Sequence, residues 1–187
     1  MKKRTTMLAL LLATGAGTCL QAQEKLTQFK VRDAITVRTP IMNDSINPKG
    51  EKYADKDLLK TPVVLDLADA PFQVLSTDTA GVLSFPKAEK DHSIYLLETS
   101  LRAERFMTGK LKVTSPARWE IFINGESKMS KENAEDSISG ASTREVNLRL
   151  EPEADYEITI KLLSGSKDKA VPTLKCELIK DHKFKDI

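Results

Sequence analysis

The chain has 187 residues with 29 basic and 27 acidic side chains, and 40% of its residues are hydrophobic. This length and composition fit one compact domain with a core of ordinary size. The balanced charge lacks the basic surplus of a nucleic-acid-binding protein, so we expect no nucleic-acid partner. Two cysteines cannot build the framework of a disulfide-rich scaffold.

The first 22 residues are predicted to be a secretory signal peptide. Basic residues at 2–4 precede an apolar run at 7–13, and Leu20-Gln21-Ala22 ends in a small residue typical of a cleavage site. The apolar run is shorter than the roughly 20 residues of a membrane-spanning helix, so no membrane anchor is expected. Cys19 suggests lipid attachment as an alternative, but residues 16–18 lack the large aliphatic residue usual before a lipidated cysteine. We therefore predict soluble export to the periplasm.

Cleavage after Ala22 would leave 165 residues, with 26 basic against 27 acidic side chains and a net charge of −1. Cys19 is lost with the signal peptide, so the mature chain is predicted to have no internal disulfide. Cys176 is in phase with Leu174 and Leu178 in the segment LKCELI. This pattern predicts a small apolar core residue and not a nucleophile.

The first half of the mature chain gives weak patterns. Residues 26–37 alternate in part and predict an extended N-terminal arm or an edge strand, and the breakers in residues 38–60 predict a loop. Strands are predicted at residues 63–67, 72–75 and 93–97, with turns around 69–71 and 79–81 and a short helix at 88–91. Residues 100–106 either continue a strand or form a single helical turn.

The clearest pattern lies between Gly109 and Gly165, where the segments LKV, WEIFI, VNLRL and YEITIKL follow one another. Trp119, Ile121 and Ile123 fall on one face of an extended strand, and Glu120 and Phe122 fall on the other. Such alternation favours an antiparallel sheet with one solvated face. Asn124-Gly125 predicts a tight turn. Residues 126–142 form either a mobile loop or a short paired strand followed by a loop.

These elements together predict an all-β fold, an antiparallel β-sandwich or jelly-roll-like single domain after the signal peptide. We divide the chain into the signal peptide at 1–22, an N-terminal arm and loop at 23–60, the sandwich at 61–180 and a tail at 181–187.

Polar residues form no recognisable catalytic or metal-binding motif. His92 and His182 belong to no zinc-binding pattern, and the string Ser164-Gly165-Ser166 lacks the strand-turn-helix context of a hydrolase nucleophile and predicts a loop. Glu132, Glu135 and Asp136 suggest a calcium site or a carboxylate pair, but neighbouring lysines favour a solvated loop. We therefore expect no cofactor, no metal and no catalytic residue in this chain.

Aromatic residues are the candidates for an interaction surface. Trp119 shares a face with two isoleucines, which favours core packing over a sugar platform. Phe122 lies on the opposite face, where it meets either a second packed layer or a partner. A glycan-binding module would carry Tyr53, Tyr95 or Phe106 on a concave face or loop rim.

The segments GKLKVTSPARWEIFINGESK and LEPEADYEITIKLL, with EKLTQFKVRDAI and NPKGEKYADKDLLKTP, resemble the N-terminal β-sandwich region of large exported peptidases of the prolyl-oligopeptidase family in Bacteroides-like bacteria. In that family a β-propeller and an α/β-hydrolase domain follow the sandwich. The chain ends at Ile187, before any catalytic Ser, Asp and His. The resemblance therefore implies a non-catalytic accessory domain of a serine peptidase, with a downstream propeller and hydrolase domain or another envelope protein as its partner. A glycan-binding or envelope-assembly module is the alternative.

Three short segments resemble the acceptor for O-glycosylation of exported proteins in such bacteria. Each has Asp, then Ser or Thr, then a small or aliphatic residue, and each lies in a predicted loop. The resemblance implies glycosylation at one or more of Ser45, Thr79 and Ser137.

Overall fold

A computed structural model of the chain describes residues 23–37, 46, 49–51, 54–60, 72–89 and 91–180. The predicted signal peptide, the predicted strand at 63–67 and the predicted tail at 181–187 lie outside these residues, as do Ser45 and Tyr53. The described strands are β1 Gln23–Lys25, β2 Gln28–Val37, β3 Phe72–Ser76, β4 Val82–Ser84, β5 His92–Arg102, β6 Met107–Thr114, β7 Arg118–Ile123, β8 Glu126–Lys131, β9 Thr143–Leu150, β10 Asp155–Gly165 and β11 Thr173–Lys180. The helix is α1 Asp55–Lys60.

The strands form two antiparallel sheets. The first has the order β1-β11-β6-β9, with β4 pairing a different part of β11, and the second has the order β3-β2-β5-β10-β7-β8. The apolar faces of both sheets form one core, which includes Trp119, Ile121, Leu111, Leu148 and Leu174. The chain is therefore an all-β domain of the antiparallel sandwich type, as predicted.

Alternation explains the strands with one solvated face. In β9, Val146, Leu148 and Leu150 are buried and the residues between them are exposed. Trp119 is fully buried in β7, and Cys176 is buried in β11, where burial raises the pKa of its thiol. Both predictions of core packing are confirmed.

The predicted turn and the strand after it are also confirmed. Asn124 and Gly125 have φ angles of 50° and 77°, the left-handed backbone that a two-residue hairpin turn requires. The chain then returns as β8, so residues 126–142 are a short paired strand followed by a loop. Likewise, residues 100–106 begin as a strand continuation, because β5 runs to Arg102.

Three predictions for the first half of the chain are wrong. Strand β2 lies between β3 and β5, so residues 26–37 include an interior strand and not an arm or edge. Residues 85–89 take no regular structure where a helix was predicted from residue 88. The predicted loop at 38–60 contains α1, whose Asp57 carboxylate accepts a hydrogen bond from the Ala54 amide at 2.8 Å and caps the helix start.

Helix α1 packs on the outer side of the six-stranded sheet. Its Leu58 and Leu59 are buried against Ile94 and Leu163, with Leu96 alongside. Acidic side chains in its first turn and Lys60 in its last complement the helix dipole. The six-stranded sheet is therefore covered on both faces where α1 lies. Within the residues described, no helix is long and apolar enough to cross a membrane.

Candidate functional site

A polar cluster fastens the start of α1 to the sheet. Asp55 forms an ion pair with Arg118 through one carboxylate oxygen and lies 3.0 Å from His92 Nε2 through the other. Arg118 also donates to both carboxylate oxygens of Asp168 at 2.8 and 2.9 Å, and Asp168 accepts the Gly165 amide at 2.7 Å. The cluster joins the helix, β7 and the turn after β10.

The end of α1 is held by a buried lysine. Lys161 donates a hydrogen bond from Nζ to the Leu59 carbonyl oxygen. Burial lowers the pKa of Lys161, and the charge of Glu120 partly opposes this shift. Lys60 adds an exposed ion pair with Glu132 at 2.6 Å.

The arrangement around His92 holds the helix on the sheet. His92 lies on the α1 side of β5, as shown by its contact with Asp55. Ser164 is in phase with the core residues Ile160 and Leu162 of β10, so it faces the other side of the sheet and lies in a strand instead of the predicted loop.

The predicted acidic group does not converge on one point. Glu132 pairs with Lys60, whereas Asp136 pairs with Lys169 at 2.6 Å. Glu135 accepts from buried Lys131 at 2.9 Å. Because each carboxylate faces a different lysine, the three form no shared cation site. No group of three or more metal-ligating side chains elsewhere in the described ranges could hold an ion.

The half of the six-stranded sheet beyond α1 carries an open groove of about 1050 Å³. It is lined by residues 24–30 at the start of the domain, Val74 of β3, residues 98–101 of β5, Asn124 of the hairpin turn, and Asp155 and Glu157 of β10. Strand β2 creates the space: it pairs with β5 only as far as Lys30 and Glu98, whereas β10 stays paired with β5 to Arg102.

The strand register aligns side chains across this face. Val74 pairs with Lys30, Lys30 with Glu98, Glu98 with Thr159 and Thr159 with Phe122. Their neighbours along the strands enter the core, so these five side chains face outward. We call this set the transverse row.

The groove is rich in acidic groups. Four carboxylates line it against two lysines. Glu24 pairs with Lys180 at 2.7 Å, and Asp155 lies 3.7 Å from Arg102. Glu98 and Glu157 have no ion pair with another described side chain.

The groove perturbs the pKa of the Glu98 carboxyl. Partial burial raises its pKa, and the charge of Glu157 raises it further, whereas Arg32 and Lys30 act in the opposite direction. Glu98 is thus a partly desolvated acceptor, and Glu157 beside it is exposed to solvent.

The structure separates the predicted aromatic candidates. Tyr95 is 4% exposed, packs 4.7 Å from the Phe85 ring and donates its hydroxyl to the Pro86 carbonyl, so its prediction as a surface residue is wrong. Phe106 is half-buried with the Arg149 guanidinium 5.1 Å over its ring, away from the groove. Phe122 is half-buried on the outer face, at the end of the transverse row.

Two predicted glycosylation acceptors lie in the described residues. Thr79 is exposed in the turn between β3 and β4, and its carbonyl oxygen accepts from Lys25 Nζ at 3.2 Å. Ser137 is exposed in the loop after β8, and its hydroxyl accepts from the Gly140 amide at 3.1 Å.

Sequence reasoning missed Glu98, Glu157 and Val74 as site residues. The signal that could have found the site is cross-strand register, since residues 74, 98 and 157 become neighbours only when β3, β2, β5 and β10 are placed side by side.

No protein-family model matches the sequence, and no curated protein matches it. Among solved structures, the chain is similar to a β-glucosidase from Kluyveromyces marxianus in complex with glucose, at 10% identity and a TM-score of 0.48, covering 83% of this chain and 16% of the enzyme. It is also similar to a PA14 sugar-binding domain from an RTX adhesin, at 10% identity and a TM-score of 0.46, covering 84% of this chain and 90% of the domain. The PA14 domain of the MpAFP antifreeze protein aligns at 10% identity and a TM-score of 0.45 over 88% and 86% of the two chains.

This chain thus spans about one sixth of the length of the β-glucosidase. Likeness at these identities and TM-scores carries no argument about ligand or activity. The fold and the groove define a β-sandwich module with one partly open sheet face.

Proposed function

We propose that this chain is a non-catalytic β-sandwich module of an exported protein and that it binds a saccharide in the groove. The observation that carries the proposal is the composition of the groove wall, which sets carboxylate, amide and hydroxyl side chains beside an exposed aliphatic side chain. Glu98, Glu157, Asn124 and Ser100 supply the polar groups, and Val74, which is 67% exposed, supplies the apolar surface.

This combination suits a polyhydroxylated ligand. A sugar hydroxyl both donates and accepts hydrogen bonds, so it is bound well by a carboxylate beside amide or hydroxyl groups. Hydrogen bonds to an ionised acceptor are stronger than neutral ones. Glu98 and Glu157 are available because neither is held in an ion pair with a described side chain. The C–H face of a sugar ring can pack on Val74. Ligand-binding sites commonly combine such apolar surface with a few polar groups that orient the ligand.

A binding assay with matched variants tests the proposal. The purified chain is screened against a panel of saccharides, and a hit is measured by isothermal titration calorimetry. The double variant Glu98→Gln and Glu157→Gln should bind at least about tenfold more weakly, since it loses two charge-assisted acceptors. Glu145→Gln, on the outer face of the five-stranded sheet, is the control. Absence of binding to any saccharide, or equal affinity of the double variant, would contradict the proposal.

A second candidate function is an accessory domain that packs on a neighbouring domain of a serine peptidase. It is supported by the resemblance to prolyl-oligopeptidase relatives and by exposed Phe72 and Val74 on β3, at the edge of the six-stranded sheet as described. Immunoblotting of native periplasm tests it. A product far above 20.8 kDa supports the accessory role, and a product of the size of this chain contradicts it.

We also propose O-glycosylation of exposed Thr79 or Ser137 in the exported protein. Intact-mass measurement of protein purified from native periplasm should show added glycan mass. A single species at the unmodified mature mass would remove this proposal.

A further inference from the structure

We infer that the groove binds an oligosaccharide chain of neutral or amino-bearing units, which lies across the strands along the transverse row from Val74 to Phe122. This inference rests on the proposed function and specifies its ligand. Thr159 and Phe122 lie beyond the groove wall, and Phe122 would be the far contact of the saccharide.

The length of the transverse row indicates how many sugar units the ligand has. Val74 and Phe122 are separated by four inter-strand steps, through Lys30, Glu98 and Thr159. Adjacent strands lie about 4.8 Å apart, so the row extends roughly 19 Å. One pyranose ring is about as wide as one such step, roughly 5 Å. A monosaccharide would therefore touch only part of the row, whereas a chain of about four units would reach both apolar ends.

Helix α1 forms one wall of the binding site for the oligosaccharide. The next row of outward residues includes Leu96, which packs against the Leu58 and Leu59 cluster, and Lys161, which donates to the Leu59 carbonyl. These contacts place the helix directly beside the transverse row. A ligand on the outer face is thus confined to the half of that face that α1 does not cover.

The acidic side chains beside the row determine which sugar units the oligosaccharide can contain. Glu98 stands in the row and Glu157 lies two residues along β10 from Thr159, with Lys30 as the lysine within the row. A carboxylate-bearing sugar would add negative charge beside Glu98 and Glu157, neither of which forms an ion pair with a described side chain, and this like-charge contact disfavours it. An ammonium group on the sugar would instead be attracted.

Phe122 offers an apolar surface that a monosaccharide bound near Lys30 would not reach. An aromatic side chain offers a broad apolar surface for packing at low cost in conformational entropy. Because Phe122 lies three strands from Lys30, its effect on binding should depend on ligand length. A residue that only supported the fold would affect ligands of every length equally.

The test is a calorimetric titration with a homologous series, from one to six units, of the saccharide found in the panel screen. Affinity should rise with length to about four units and then level off. Phe122→Ala should weaken binding of the tetramer about tenfold and leave the monomer unchanged. Phe122→Leu, which keeps apolar bulk, should fall between the two. Val171→Ser, at an exposed loop residue outside the groove lining, is the control. Circular dichroism confirms that each variant is folded.

The outcomes separate this inference from the proposed function. Binding that depends on Glu98 and Glu157 but is equal for monomer and tetramer overturns the inference and leaves the proposed function standing. Equal tetramer affinity of Phe122→Ala also overturns it, as does tighter binding of a uronate chain than of its neutral counterpart. A failure of every saccharide to bind overturns the proposed function itself.

Discussion

Lys131 is a buried charged side chain whose loss should strongly destabilise this fold. Its side chain is 3% exposed, and Nζ donates to the carbonyl oxygens of Ser115 at 2.7 Å and Ala117 at 3.2 Å and to Glu135 at 2.9 Å. Methionine in its place would fill much of the volume but provide no donor. Two carbonyl oxygens and one carboxylate would lose the hydrogen bonds that the Lys131 ammonium group donates to them.

The expected cost follows from the burial of these groups. Removing one partner of a buried charged pair costs about 3–5 kcal/mol, because the remaining charge is left uncompensated. For a domain of this size, such a loss lowers the melting temperature by roughly 6–20 °C. The value should not reach the upper limit, since the Glu135 side chain keeps 26% exposure and a hydrogen bond from the Ser142 amide at 2.9 Å.

Urea unfolding of Lys131→Met, followed by circular dichroism, measures this cost. Lys60→Met is the matched control, because Lys60 makes the same kind of lysine–glutamate pair at 2.6 Å but is 55% exposed, so that water screens the pair and its loss should cost far less. If Lys131→Met lost less than about 1 kcal/mol, or no more than Lys60→Met, the reasoning from burial would be refuted.

Three further predictions concern the sandwich and its helix. Leu59→Ala should cost about 2–4 kcal/mol in urea unfolding, because the side chain is fully buried under α1; a cost below about 1 kcal/mol would show that the helix does not pack there. Gly109→Ala should cost about 1–3 kcal/mol, since its Cβ would overlap the Ile179 carbonyl oxygen of β11, and an unchanged urea midpoint would contradict this close approach. The third concerns pH: burial alone would raise the pKa of Glu135, but hydrogen bonds from Ser142 and Lys131 outweigh it and lower the pKa. Its stabilisation should be present above pH 4.5 and be lost as the pH falls through the folded-state value, so the urea midpoint of wild type should fall over that range more than that of Glu135→Gln.

Local patterns predicted the strands whose two faces meet different surroundings. β9 alternates because one face meets the core and the other meets solvent. In β7 the alternation placed Trp119, Ile121 and Ile123 inside, although Glu120 on its other face is buried as well. The hairpin turn was predicted from Asn124-Gly125 because the conformational preference of these residues is local.

Features that depend on distant partners could not be predicted. Tyr95 lies in β5, where the core covers one face and α1 covers part of the other, so aromatic character did not indicate exposure. The helix itself was missed because six residues are too few to show helical periodicity. Strand β2 was predicted to be an arm or an edge strand because its neighbours, β3 and β5, follow it by dozens of residues.

The candidate site was hidden for the same reason. Glu98 and Thr159 are neighbours in the transverse row through the pairing of β5 with β10, a contact between residues about sixty positions apart in the chain. Phe122 was singled out for its face, but its place in the row required the register of β7 with β10. Local alternation determines which face a residue takes, and pairing determines its companions.

Mapping ligand-induced chemical shift changes by nuclear magnetic resonance tests the central claim, saccharide binding on the open face, most directly. Titration with the tightest-binding saccharide of the panel should shift the backbone amide signals of Lys30, Glu98 and Thr159 and leave those of Lys112 and Glu145, on the five-stranded sheet, in place. Shifts centred on Lys112 and Glu145, or no saturable shifts with any saccharide, would contradict the account.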